Sequence, residues 1–257
     1  MTEPLEEAAL SRTGCKLGHY VVVKQETEST NDDAHELAAS GGAAGAAVVA
    51  ELQTKGRGRL SRSWLSPAGK NLLFSLVLPA ELARHGPGLI TLSAGVAVAR
   101  ALRKRGVDAA IKWPNDVRAN GRKLAGILCE SGGPGADYLV AGMGINVDLK
   151  HEDLPAELRE MASSLFMETG RMHGRAELFK DVLAGLEREL ARIDEGRQSE
   201  VLAAWTDLAE MTGRRIKAHT PGGVLSGRAA GVRADGALLL DTVLGQQAVI
   251  AGDIVPE

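Results

Sequence analysis

The sequence predicts an α+β fold: a mixed, mainly antiparallel sheet with interspersed helices, followed by a small all-β barrel at the C-terminus. Three observations lead there. Apolar, β-branched runs at 46–52, 72–78, 122–130 and 138–147 are bounded by turn residues, with Asn120-Gly121 a strong hairpin signal. Helical periodicity at 89–105 and 175–194 separates groups of strands rather than alternating strictly with them, which disfavours a parallel α/β sheet. From Gly213 onward, short alternating runs are separated by Pro221-Gly222-Gly223 and Asp235-Gly236, the pattern of a barrel of about 45 residues.

Taken in order, residues 1–19 read as a loosely ordered leader, 20–211 as one large domain and 212–257 as the small β domain. Tyr20-Val21-Val22-Val23 starts a strand. Ser29-Thr30-Asn31 opens a helix over 32–40 that Gly41 closes; capping alone explains such residues. A strand at 46–52 leads into a Gly/Arg loop, and a strand at 72–78 leaves it. Residues 79–87 form a connection. The helix at 89–105 ends in Arg103-Lys104-Arg105-Gly106, cations and a glycine that suit a helix C-terminus. A strand is expected over 107–113, broken by Pro114, then the hairpin at 120–121, a second hairpin through 132–135, and helices at 175–194 and 199–211.

Composition excludes several classes. The chain has 257 residues, 44% hydrophobic and 25% charged, as soluble globular domains do. A net charge of -3 argues against bulk binding to nucleic acid or an anionic membrane. Cys15 and Cys129 have no metal-type spacing and fit a reducing, cytoplasmic setting. No apolar run reaches the ~20 residues of a membrane span.

Against that acidic background, Gln53 to Trp64 is cationic. Arg57, Arg59 and Arg62 are interleaved with Gly56 and Gly58, and no acidic residue occurs between Glu51 and Glu81. Arginine forks fit carboxylate and phosphate, and glycine lets a backbone approach a ligand closely or turn with φ > 0. On composition alone a solvated loop or a nucleic-acid arm is the commoner reading, but its place between two apolar strands favours a loop that folds over a small anion. Five like charges from Lys55 to Lys70 predict a loop that stays open until an anion arrives.

Familiar motifs are missing: no GxxxxGK[ST], no full GxGxxG, no HExxH and no GxSxG. Three polar segments beside apolar strands remain. In Lys112-Trp113-Pro114-Asn115-Asp116, Asp116 suits a magnesium ion and Asn115 a phosphate or ribose, although an Asx turn accounts for both. Lys123 lies in an otherwise apolar run, as an exposed-face residue or as a cation held in a cleft. Asn146 ends Gly142-Met143-Gly144-Ile145-Asn146, as a turn former or a nucleotide contact.

Together the loop 56–64, the segments 112–116 and 123–127, and 142–146 resemble the motif series of biotin–protein ligases in order and approximate spacing. Leu60 and Ser61 depart from that family's pattern, in which a basic or polar residue and a glycine are usual. The resemblance implies a class II synthetase-like catalytic domain with an SH3-like C-terminal domain. It implies activation of biotin by ATP as biotinyl-5′-AMP, with Mg²⁺, and transfer to a lysine of a biotin carboxyl carrier domain. The implied roles are Lys123, Arg59 and Arg57 in catalysis. Biotin falls to Ser29, Thr30, Asn31, Gln53, Arg57, Gly58, Arg59 and Lys123, with Leu124, Ala125 and Ile127 as an apolar floor. ATP falls to Arg59, Arg62, Trp64, Lys112, Asn115, Asp116 and Asn146, and magnesium to Asp116. Trp64 either stacks on adenine or packs the base of the loop. The DNA-binding domain of bifunctional members is not expected, and the protein is expected as a monomer or homodimer. Two alternatives are a lipoate–protein ligase and a non-enzymatic nucleic-acid-binding regulator.

Overall fold

The structure, a computed structural model, describes residues 4–41, 44–133 and 136–257. Its elements run α1 (Glu7–Leu10), β1 (Val21–Thr27), α2 (Thr30–Ala39), β2 (Ala47–Gln53), β3 (Asn71–Leu78), α3 (Ala80–Ala83), α4 (Gly86–Arg103), β4 (Ala110–Lys112), β5 (Asp116–Ala119), β6 (Arg122–Ser131) and β7 (Leu139–Asn146). They continue with α5 (Leu165–Thr169), α6 (Arg175–Asp194), α7 (Gln198–Leu208), β8 (Arg215–Thr220), β9 (Gly223–Val232), β10 (Leu238–Thr242), β11 (Gly245–Val249) and β12 (Asp253–Pro256).

The first seven strands form one sheet in the order β1-β2-β3-β7-β6-β5-β4. Only β1 and β2 pair in parallel; the remaining neighbours are antiparallel. The interior strand β3 is buried at all eight positions, because both faces of the sheet are covered. On one face Ala34 of α2 packs against Val48, Val77 and Val140. On the other lie α4 and α6, where Phe74 meets Phe179 edge to face at 5.0 Å between centroids. A helix as rich in small residues as α4 packs closely: a Cβ on Gly185 of α6 would lie 3.2 Å from the Ala97 Cβ.

The first residues are better ordered than composition suggests. Leu5, Leu10 and Leu17 are buried, and the Leu5 amide donates to the Glu51 carboxylate at 2.7 Å. Glu51 also accepts from both terminal nitrogens of Arg175, at 2.6 and 3.0 Å. Three leucines thus convert the expected leader into part of the core. The strand expected over 107–113 shrinks to β4, because the Val107 amide donates back to Leu102 O rather than to a neighbouring strand. Pro114 follows Trp113 through a cis peptide bond. The connection at 79–87 contains α3; α5 and β12 carried too few residues to be seen in the sequence. Of the hairpin expected at 132–135, Pro134 and Gly135 lie outside the described residues.

The last five strands form a second antiparallel sheet in the order β11-β10-β9-β8-β12. It is tied to the first unit by the Trp113 indole, which donates to Gly236 O at 2.9 Å. Close packing of Gly88 on Asp235 and Gly236 adds to this; a side chain at 88 would collide with that backbone. The turn Asp235-Gly236 therefore docks the small domain beside the strand ends that carry Lys112 to Asp116.

Candidate active site

The Gly/Arg loop is folded back on itself. The Trp64 amide donates to Gly56 O at 2.8 Å, Gly58 N to Arg62 O at 2.7 Å, and Arg57 bridges Ser63. The left-handed residue is Leu60, at φ 55°, not one of the expected glycines. Gly56 serves close approach instead: a Cβ there would lie 2.8 Å from Trp64 O, whereas one on Gly58 would meet nothing nearer than Arg62 O at 3.5 Å.

The loop's cations do not stand open awaiting an anion. Arg57 pairs with Asp32 at 2.6 Å and Glu130 at 3.3 Å, Lys55 with Glu28 at 2.6 Å, and Arg62 with Asp253. Like-charge repulsion, expected to hold the loop open, is offset by carboxylates brought from α2, β6 and β12. The hydrogen bond to Asp32 raises the Arg57 pKa above its ordinary value. Arg59 has no ion pair among the described residues and is half-buried; desolvation lowers its pKa, and the fields of Asp253 and Asp116 only partly oppose this.

Two cavities meet beside this loop. A slot of about 40 Å³ is lined by Ser29, Thr30, Asn31, Gln53, Lys123 and the glycines 126, 142 and 144, among others. That volume holds a few waters. The larger cavity, about 270 Å³, is lined by Arg59, Arg62, Lys112, Asn115, Asp116 and Asn146, with Asp253 and the 149–162 segment opposite. Trp64 and Lys123 line both.

Ser29 is the N-cap of α2, yet its side chain makes no capping bond. The capping explanation therefore does not account for it. Thr30, Gln53 and Asn31 are cross-linked instead. Thr30 donates from its amide to Gln53 Oε1 at 2.7 Å, its hydroxyl meets Ser75 Oγ at 2.8 Å, and Ser75 donates to Asn31 Oδ1 at 2.6 Å.

At the seam, Lys123 Nζ lies 2.6 Å from Asp116 Oδ1 and 5.2 Å from the centroid of the Trp64 indole. Lys123 opens β6, and its backbone is fixed on both sides: its amide donates to Met161 O and its carbonyl accepts from Ser163 N. It is not a surface lysine. The Trp64 ring lies across Gly126 and Gly144, partners in the β6–β7 ladder. A Cβ on Gly144 would be 2.6 Å from its Cε2, and one on Gly126 would be 2.9 Å from its Cζ3. The indole nitrogen is buried without a hydrogen-bond partner among the described residues.

Several expected residues have partners within the fold. Asn115 donates to Ile127 O at 2.8 Å, and Asn146 to Ser163 O at 2.9 Å, so the first ties the β4–β5 turn to β6 and the second ties the end of β7 to the segment before α5. Lys112 lines the larger cavity, and burial lowers its pKa. Leu124 and Ala125 do not form an apolar floor. They belong to the hydrophobic core and line neither cavity; of the expected floor only Ile127, itself a core residue, reaches the slot, beside Leu128 and Met143. Asp253, Arg118 and the 149–162 segment were missed: nothing in their local sequence marks them, and only the docking of β12 and the return of 149–162 across β6 bring them to the cavity. Desolvation raises the Asp253 pKa, but Arg62, Lys112 and Arg59 outweigh it and leave the carboxyl below its ordinary value.

Among the described residues there is no group of three or more His, Cys, Asp or Glu side chains that could hold a metal. Asp116 and Asp253 both line the larger cavity. Magnesium carried by nucleotide phosphates needs only one or two carboxylates, so this donor set fits an ion that arrives with its nucleotide.

Comparison with known proteins identifies the family. Residues 23–148 match the Biotin/lipoate A/B protein ligase family, and residues 212–255 match the Biotin protein ligase C terminal domain. The Biotin--[acetyl-CoA-carboxylase] ligase of Paracoccus denitrificans is 35% identical over 236 residues, covering 89% of this chain and 97% of that protein. The Bifunctional ligase/repressor BirA of Bacillus subtilis is 33% identical over 241 residues, 93% of this chain and 74% of that one. The chain belongs to the biotin protein ligase family. Its fold is similar to that of the biotin protein ligase from Aquifex aeolicus in complex with biotin and ATP, with a TM-score of 0.81 and 28% identity over 93% of this chain and 99% of that one. All the expected site residues, Ser29 through Asn146, fall in the first ligase match and Asp253 in the second. Among the described residues no helix is long and apolar enough to cross a membrane.

Proposed function

We propose that the protein activates biotin with ATP and transfers it to a lysine of a biotin carboxyl carrier domain. The observation that carries this reading is the position of Lys123: its ammonium stands where the slot meets the larger cavity, beside Asp116 and over Trp64. In this reading biotin occupies the slot and ATP the larger cavity. The reacting carboxylate and α-phosphate then meet at Lys123, with Arg57 and Arg59 arriving from the loop.

Both reactants are anions, so the first task is to cancel their repulsion while holding them in line. A carboxylate oxygen of biotin attacks the α-phosphorus; the bond to the β-phosphate oxygen breaks, and pyrophosphate leaves with that electron pair. Lys123 and Arg59 place positive charge where negative charge accumulates. In the second half, a neutral lysine amine of the carrier attacks the acyl carbon, loses a proton, and AMP leaves. Asp116 would hold magnesium, which shields phosphate charge. The slot's small volume means that Trp64 and the loop must shift to admit a bicyclic ring. Once seated, the same loop shields the mixed anhydride from water. Use of ATP and the free thiols Cys15 and Cys129 support a cytoplasmic setting.

Exchange of labelled pyrophosphate into ATP tests the reading. Exchange that requires biotin and is not supported by lipoate is expected. Exchange supported equally by lipoate, or independent of either acid, would replace this function with another.

A further inference from the structure

We propose that Glu168, which lines neither cavity, is a positioning residue for Lys123: it pins the segment that holds the Lys123 backbone where the regular sheet does not. This rests on the reading of Lys123 as the group that carries positive charge in adenylation, and it brings a residue of a different element into that step.

By strand alternation alone Lys123 would not face the cavities. Residues two apart on a regular strand share a face, so Lys123 would join Ala125 and Ile127 on the core side. It does not, because β6 carries an extra residue there. Val117 of β5 pairs with Ala125 but Arg118 pairs with Lys123, which leaves Leu124 without a counterpart. Leu124 and Ala125 are consecutive, and both are buried in the core. This bulge turns Lys123 to the opposite face, where it lines both cavities.

A bulge that re-aims a side chain also interrupts regular pairing, so the backbone needs another support. The neighbouring strand β7 does not supply it: Ala125 pairs with Ile145, and β7 ends at the next residue, Asn146. Residues 161–163 take the edge that β7 leaves. The Lys123 amide donates to Met161 O at 2.8 Å, and its carbonyl accepts from Ser163 N at 2.9 Å. Asn146 Nδ2 closes the gap with bonds to Ser163 O at 2.9 Å and Lys123 O at 3.4 Å. Residues 161–163 belong to no helix or strand, so they have no regular ladder of their own to fix them.

Glu168 supplies the anchor. From α5 its carboxylate accepts from the Ser163 hydroxyl, from Arg122 Nη2 at 2.8 Å and from Asn120 Nδ2 at 2.8 Å. Asn120 forms the tip of the β5–β6 hairpin, and Arg122 immediately precedes Lys123. The carboxylate thus clamps the 161–163 segment to the start of β6. Its side chain is 6% exposed, so little water is at hand to replace these bonds. Without the clamp the Lys123 backbone can drift, and a misplacement of about 1 Å can cost on the order of 10²-fold in rate.

The test is single-turnover formation of biotinyl-AMP by the full chain at saturating biotin and ATP. Glu168→Ala should slow it at least ~10-fold, and Ser163→Ala, which removes one bond of the clamp, at least ~3-fold. In a Lys123→Ala background each should cost less than about twofold, because a residue that acts by placing the ammonium has nothing left to place. Loss of general stability would instead slow both backgrounds alike. Glu168→Gln keeps an acceptor oxygen for Ser163 and Arg122, and the exposed Asn120 amide can turn to meet its NH2 group, so this variant should stay within about threefold of wild type. Thermal melts check that each variant is folded, and the Ser163→Ala pair decides if Glu168→Ala is not. Equal slowing with and without the Lys123 side chain, no slowing at all, or a glutamine variant as slow as the alanine one overturns the proposal while leaving the functional reading intact. Failure of wild type to form biotinyl-AMP, or a normal rate in Lys123→Ala alone, overturns the reading on which it rests.

Discussion

Gly144→Ala should weaken binding of the adenylate while barely destabilising the protein, because of what lies over Gly144. A methyl group there would sit 2.6, 2.8 and 2.8 Å from Cε2, Cζ2 and Nε1 of Trp64. Carbon–carbon contacts settle near 3.5–4.0 Å, so a rigid indole must retreat by roughly 1 Å. In a closed core such overpacking costs about 1–3 kcal/mol. Trp64 is not in a closed core; it hangs from a loop held by the partly exposed pairs of Arg57 and Arg62. Exposed pairs are worth at most about 1 kcal/mol each, so the loop yields first. The cost then falls on the closed loop: 1–3 kcal/mol corresponds to roughly 5- to 150-fold weaker binding of biotinyl-AMP. The melting temperature should drop by no more than about 4 °C. The assay is isothermal titration calorimetry of biotinyl-AMP binding, which needs no tryptophan reporter and so reads every variant of the cycle. Repeating the substitution in a Trp64→Ala background closes the cycle. If Gly144→Ala costs as much there as in wild type, the methyl acts on the slot directly and the argument through Trp64 is wrong.

Lys123→Ala should slow formation of biotinyl-AMP by about 10²-fold or more, as expected for loss of a preorganised electrostatic donor, and Lys123→Arg should restore it only in part; a near-normal single-turnover rate for the alanine variant would remove Lys123 from the chemistry. Trypsin should cut the ligand-free loop first after Arg59, since the next residue, Leu60, is 72% exposed, and biotin with ATP should slow that cut; identical rates with and without ligands would mean that the loop does not close. Asp253→Asn should hasten the same cut by releasing Arg62. Because the Asp253 carboxyl titrates below its ordinary value, its contribution is complete at neutral pH and is lost only as the pH falls through that lowered value, so the cleavage pattern should not change between about pH 6 and 8. Glu51→Ala should be the most destabilising of these changes, at about 3–5 kcal/mol, because it breaks a buried ion pair; a chemical-denaturation loss under 1 kcal/mol would contradict that.

Much of the site was legible because its chemistry is written in contiguous residues. A Gly/Arg loop between two apolar strands, a lysine opening a third, and glycines in a fourth each stand out locally. The β6–β7 ladder then brings Gly126 opposite Gly144 without further instruction. Periodicity likewise gave α6 its exact span and the central strands within a residue or two, since a buried strand and an amphipathic helix carry their period in the sequence.

What the sequence could not decide depends on partners distant along the chain. The loop's charge reads as self-repelling until Asp32, Glu130 and Asp253 arrive from three separate elements and neutralise it. Leu124, Ala125 and Ile127 read as equally suited to a ligand pocket; all three enter the hydrophobic core, and only tertiary packing leaves Ile127 at the edge of the slot as well. Asn31 reads as a helix cap. It becomes an oriented amide only where Glu130, Leu128 and Ser75 close around it. Residue type and local spacing fixed which groups could do chemistry; long-range pairing fixed which of them are neutralised, buried or aimed, because a hydrogen bond or an ion pair is set by distance in space, not by separation along the chain.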